Sequence, residues 1–84
     1  IDDLNSVSLV CFPNPVENQL KVSFNNKSKS VVSLYEIHGK IINQKVVNPH
    51  ENEVIFDTSH LEKGMYFVIL STFESSSIEK IIKH

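Results

Sequence analysis

MYFVILST, residues 65–72, decides the fold class: six apolar residues run from Met65 to Leu70 before Ser71 and Thr72 end the run. A membrane-spanning helix needs about 20 consecutive apolar residues, so this stretch cannot cross a bilayer. Its mix of Val, Ile, Phe and Tyr favours a strand, apolar on both faces and therefore expected to lie centrally between layers. Gly64 precedes it and the polar FESSS, residues 73–77, follows it, and both read as turns. SIEKIIK, residues 77–83, then returns as a last strand with Ile78 and Ile82 on one face and Ile81 on the other.

Upstream the same reading repeats. LKVSF at residues 20–24 alternates Leu20, Val22 and Phe24 with Lys21 and Ser23, the period of a strand with one buried face. NNKSKS at 25–30 is a polar turn, VVSLYEI at 31–37 a strand, HGK at 38–40 a turn whose glycine suits positive φ, and KIINQKVV at 40–47 the returning arm. NPHEN at 48–52 turns the chain into the short strand EVIFD at 53–57, and TSHLEKG at 58–64 connects onward. Thr58 or Ser59 could cap one helical or 3₁₀ turn in that connector. About seven short strands at this spacing, with no helical period held for three turns, give an all-β, Ig-like β-sandwich of antiparallel strands.

VCFPNPVENQL, residues 10–20, fixes the backbone near the start. Pro13 and Pro15 each lock φ and bias Phe12 and Asn14 toward extended geometry, so a strand running from Val7 to Phe12 ends at a rigid corner. IDDLNS, residues 1–6, reads as a linker remnant and residues 7–84 as one domain. With 84 residues and 40% hydrophobic content, the chain can bury one core but cannot wall a deep catalytic cleft. The single cysteine, Cys11, excludes an intrachain disulfide.

The chemistry-bearing residues form no recognisable reaction centre. All eight cations are lysines, spread from Lys21 to Lys83, and the net charge is −2. No basic patch points to nucleic acid, and no segment points to direct membrane insertion. His38, His50, His60 and His84 lie in turns or at the terminus without zinc-site spacing, so no metal is expected. Glu51, Glu53 and Asp57 lack the rest of a calcium loop and read as a solvated strand face. There is no Gly-x-Ser-x-Gly elbow, Gly39 and Gly64 are too far apart to cradle a phosphate, and Cys11 reads as a small buried hydrophobe. No enzyme and no cofactor are expected. Tyr35, Tyr66 and Phe67 could stack on a sugar, although aromatics on strands more often fill the core.

The succession FPNP, LKVSF, SLYEIHGKII, FDTSHLEKGMYFVIL and EKIIKH resembles the type A C-terminal sorting domain of the type IX secretion system, from about Leu9 to Lys83. The resemblance implies an Ig-like sandwich that directs a cargo protein across the outer membrane of certain Gram-negative bacteria. It implies recognition by the translocon and its shuttle and sortase components. It also implies transit through the periplasm, cleavage just before the folded part, and either release or attachment of the cargo to anionic lipopolysaccharide at the cell surface. The positions that match the family's motifs are Pro13, Asn14 and Pro15; Gly39 and Lys40; Leu61, Gly64 and Tyr66; and Lys80, Ile81, Ile82 and Lys83. Three residues depart from the pattern: Glu36 stands where Asp is common, Phe12 where Tyr is frequent, and Cys11 is unusual beside it.

Each matched residue also has a plainer role open to it. The glycines serve positive-φ turns, and Tyr66 serves the core. Lys80 and Lys83 face opposite ways on a strand that could lie at a sheet edge, where lysine discourages pairing or where a partner could add a strand. The alternative function is a small extracellular binding module for carbohydrate or adhesion, against which the absence of Trp weighs.

Overall fold

The computed structural model describes residues 9–25 and 28–84. The linker expected over residues 1–6, the expected strand start at Val7 and the middle of the turn at 25–30 lie outside the described residues. Within them there are seven strands and no helix: β1 (Leu9–Phe12), β2 (Gln19–Phe24), β3 (Ser30–Glu36), β4 (Ile41–Val47), β5 (Glu53–Asp57), β6 (Gly64–Thr72) and β7 (Ser76–Lys83). Alternation sets which way each strand faces. In β2, Leu20, Val22 and Phe24 are buried while Gln19 is exposed and Lys21 and Ser23 are half-buried.

The strands form two antiparallel sheets, ordered β1-β2-β5 and β4-β3-β6-β7. In immunoglobulin lettering these are A-B-E facing C′-C-F-G, so the Ig-like sandwich expected from the strand spacing is the fold observed. Leu20 of β2 stands opposite Phe56 of β5, and both are fully buried against Val32, Leu34, Val68 and Leu70 of the other sheet. β1 lies beside β7 along one side of the sandwich. On the other side the Lys45 ammonium of β4 reaches the Ile55 carbonyl of β5 at 2.7 Å and sits 5.4 Å from the Phe56 ring centroid.

Two expectations change. β6 is central within its sheet, between β3 and β7, but only one of its faces is covered: Tyr66, Val68 and Leu70 point into the core, whereas Met65, Phe67 and Ile69 point outward and stay half-buried. Among the described residues there are two layers, and no third lies over that face. There Phe67 is shielded by its strand neighbour Tyr35, and Ile69 by Ile78. The connector TSHLEKG contains no helical turn. It is a bend in which the Leu61 N–H donates to the Thr58 carbonyl at 3.1 Å. Asp57 caps it, its Oδ1 accepting from the Ser59 N–H at 3.0 Å and hydroxyl at 2.7 Å, while Thr58 is drawn into the core.

Candidate functional site

The Pro13–Pro15 corner follows β1 directly, and both the Phe12–Pro13 and Asn14–Pro15 peptide bonds are cis. Beyond the corner, Val16 is fully buried and forms an isolated parallel bridge to Lys83. Its N–H donates to the Ile82 carbonyl at 2.7 Å, and its carbonyl accepts from the His84 N–H at 2.9 Å. The Asn14 side chain reaches the same strand: its Nδ2 donates to the Lys80 carbonyl at 3.4 Å and its Oδ1 accepts from the Ile82 N–H at 3.0 Å. The two ends of the chain's motif pattern therefore meet.

β7 presents two different faces at this meeting point. Ile81 is fully buried and Lys83 nearly so, whereas Lys80 and Ile82 are exposed. Full burial of an Ile contributes about 2–3 kcal/mol and an ordinary hydrogen bond about 1 kcal/mol, so Ile81 anchors the strand and the polar contacts orient it. The Lys83 ammonium donates to the Glu17 carbonyl, which also accepts from the Thr58 hydroxyl at 3.1 Å. Asp57 is held below the usual carboxylate range, first by the Ser59 hydroxyl and N–H and then by the nearby His60 and Lys83 charges.

Across the β6–β7 ladder Gly64 stands opposite Lys83, with φ of +147° and open space where a Cβ would sit. Two residues on, the Tyr66 hydroxyl donates to the Glu62 carbonyl at 2.7 Å. A tyrosine at the start of the F strand that bonds back to the preceding corner is the tyrosine corner of immunoglobulin-like sandwiches. Burial, with the nearby Glu62 and Glu36 charges, pushes the Tyr66 hydroxyl above its usual pKa. Leu61 packs against the core from the same corner.

Tyr66 in turn faces Glu36 at the end of β3, where the chain reverses through His38–Gly39–Lys40. Gly39 has φ of +92°, the positive value its turn requires. Glu36 organises the reversal: its Oε1 accepts from the His38 N–H at 2.7 Å and the Lys40 N–H at 3.3 Å, and its Oε2 lies 3.6 Å from His38 Nδ1. Burial pushes this carboxyl up, but the two N–H donors and His38 outweigh it and leave Glu36 below the usual glutamate range. The acidic residue expected before the Gly-Lys turn therefore works through its side chain as the turn's internal acceptor.

All four motif segments thus lie along one end of the sandwich, joined by Asn14 to Ile82, Lys83 to Gly64 and Tyr66 to Glu36. Pro13, Asn14, Pro15, Gly39, Lys40, Gly64, Lys80 and Ile82 are exposed there, Leu61 is half-buried, and Tyr66, Ile81 and Lys83 are buried. The strand-addition route is closed at this place, because Asn14 and Val16 already occupy the outer edge of β7 from Lys80 to His84. The sequence passed over Val16 and Glu17 and read Thr58 only as a helix cap, and all three frame this end. An apolar β-branched residue straight after Pro15 was the available signal for Val16.

The other candidates do not converge. Tyr66 faces inward while Tyr35 and Phe67 face outward, so they form no single stacking platform. The four histidines are exposed, and among the described residues no group of His, Cys, Asp and Glu is gathered to hold a metal. Glu51 serves its turn by accepting from the Asn48 N–H, and Glu53 pairs with Lys21 at 3.1 Å. Burial, with the Glu79 charge nearby, raises the Cys11 thiol to about 12.

The secretion system C-terminal sorting domain family matches residues 10–84, nearly the whole chain and every segment that meets at this end. This chain belongs to that family. The sorting domain is the C-terminal signal for type IX secretion, which decides for a transport signal over a binding module. Its partner is the type IX secretion machinery and its role is export to the cell surface or the medium. The family is one of sorting signals and not a known family of enzymes. No curated protein matches the sorting domain's sequence.

Proposed function

We propose that the sorting domain is read, as a folded unit, at the end of the sandwich where its four motif segments meet. The reader is the outer-membrane translocon with its shuttle and sortase components, which engage the domain after it reaches the periplasm. Pro13, Pro15, Lys40, Lys80 and Ile82 offer the accessible side chains, and Tyr66, Ile81 and Lys83 hold them in place from beneath. Cleavage then falls just before the folded part, where residues 1–6 are the linker, and the cargo is released or attached to the surface. The observation that supports this reading is convergence: segments at 13–16, 36–40, 61–66 and 80–84 share one end although other turns of the sandwich lie elsewhere.

The test is a fusion of residues 1–84 to the C-terminus of a periplasmic reporter, expressed in a bacterium with an intact type IX translocon and in a translocon-null strain. Reporter at the surface or in the medium of the intact strain alone is the expected result. A stably folded fusion retained in the periplasm of both strains would overturn it. Within the same assay, Pro13→Ala with Pro15→Ala is expected to cut secretion more than it lowers stability, because the corner sets the distance between the linker and the read surface.

A further inference from the structure

In a parallel β-ladder one residue accepts from the N–H after its partner and donates to the carbonyl before it. Val16 does this around Lys83, accepting from the His84 N–H and donating to the Ile82 carbonyl. The Asn14 side chain repeats the pattern one step back, around Ile81, by accepting from the Ile82 N–H and donating to the Lys80 carbonyl. Residues 14 and 16 thereby pair with 81 and 83 in unbroken parallel register. The first pairing is made by a side-chain amide that stands in for a peptide group. At neutral pH, where an aspartate is ionised, only an amide of this length supplies both a donor and an acceptor at the required spacing. An aspartate has no donor, a serine has no fork, and a glutamine is one methylene too long.

We infer that Asn14 is a positioning residue for sorting: its side-chain amide takes the place of an eighth strand along β7 and holds Lys80 and Ile82 in the orientation the secretion machinery reads. The inference rests on the folded-end reading above. It couples an exposed residue in a corner between two prolines to a surface formed 66 to 68 positions later. It also assigns the recognition to side chains, because along this edge the Lys80 carbonyl, the Ile82 N–H and carbonyl and the His84 N–H are already taken.

The test compares Asn14→Ala, Asn14→Asp and the double variant Lys80→Ala with Ile82→Ala against the parent, by amide exchange on the chain and by reporter secretion. In both Asn14 variants at neutral pH the Ile82 amide is expected to lose about tenfold in protection for Ala, and less for Asp, which still accepts, while the Val68 amide stays unchanged. Secretion is expected to fall in both, in the same order as the lost protection, so more for Ala than for Asp. Lowering the pH below the aspartate range restores full protection in Asn14→Asp alone, because a protonated carboxyl has both a donor and an acceptor. Unchanged Ile82 protection in Asn14→Ala, or lost protection with parental secretion, overturns the positioning role. Parental secretion of the Lys80→Ala, Ile82→Ala double variant instead overturns the folded-end reading itself.

Discussion

The Lys83 ammonium donates to the backbone carbonyl of Glu17, tying together residues 66 positions apart. A lysine that is almost fully buried and directed at a carbonyl is a structural member, whereas Lys80, three residues earlier, is exposed. Lys83→Met keeps the aliphatic stem and removes the charged donor. Because Thr58 still donates to Glu17, no buried carbonyl is orphaned, and the expected loss is about 1.5 kcal/mol, at the low end for a hydrogen bond to a charged group. Chemical denaturation measures it. Lys80→Ala is expected to change stability by less than about 0.5 kcal/mol and yet to reduce secretion. The opposite ranking of the two variants in the two assays would separate scaffold from read surface; the same ranking in both would reject the division.

Glu36 gives the domain a defined acid sensitivity. Its carboxyl is lowered from the ordinary 4.5 in the fold, so the unfolded chain binds the proton more tightly. The contribution is therefore present above the ordinary glutamate value and is lost as pH falls through that value to the folded one. Thermal unfolding followed from pH 7 down through the carboxylate range should show a shallower loss in Glu36→Gln than in the parent. Parallel curves would show that the turn's acceptor is not the group responsible.

Cys11 faces the core from β1, and burial together with Glu79 raises its thiol to about 12. At pH 8 almost none of it is thiolate, which is the reactive form. Labelling by a thiol reagent should therefore proceed at the rate of unfolding, and adding denaturant should accelerate it in step with loss of β-sheet signal. Rapid stoichiometric labelling of the native domain would contradict the buried assignment.

Gly39 isolates the cost of backbone geometry. Its φ is +92° and no atom lies within 4 Å of the position a Cβ would take, so a substitution meets strain without a clash. Gly39→Ala is expected to cost about 1–2 kcal/mol, and Gly39→Asn less, because asparagine tolerates positive φ better. Equal costs measured by denaturation would indicate that the glycine serves something other than its conformation.

Most strands were legible because alternation is a local property. Leu20, Val22 and Phe24 declare their face within five residues, and Ile81 is set against Ile82 by adjacency alone. The outward face of β6 was not legible, since Phe67 and Ile69 are apolar enough for a covered face and only the sheet order shows that no further layer of described residues lies over them. The connector at 58–64 misled because Thr58 and Ser59 are good caps, but Asp57 at the end of β5 reached the Ser59 N–H first. The candidate end was half legible. The resemblance named its residues, and alternation put Lys80 and Lys83 on opposite faces. The register that sets Asn14 beside Ile81 depends on two sheets closing on each other, and no local pattern encodes it.

The parallel pairing of Val16 with Lys83 also governs timing. Until β7 has left the ribosome, the Val16 amide and carbonyl and the Asn14 side chain have no strand to bind, and Gly64 to Thr72 remains the bare rim of an unfinished sheet. The first-made and last-made parts of the domain must meet before either is in its final form. On the proposed folded-end reading, synthesis of everything upstream is therefore already complete when the signal can be read.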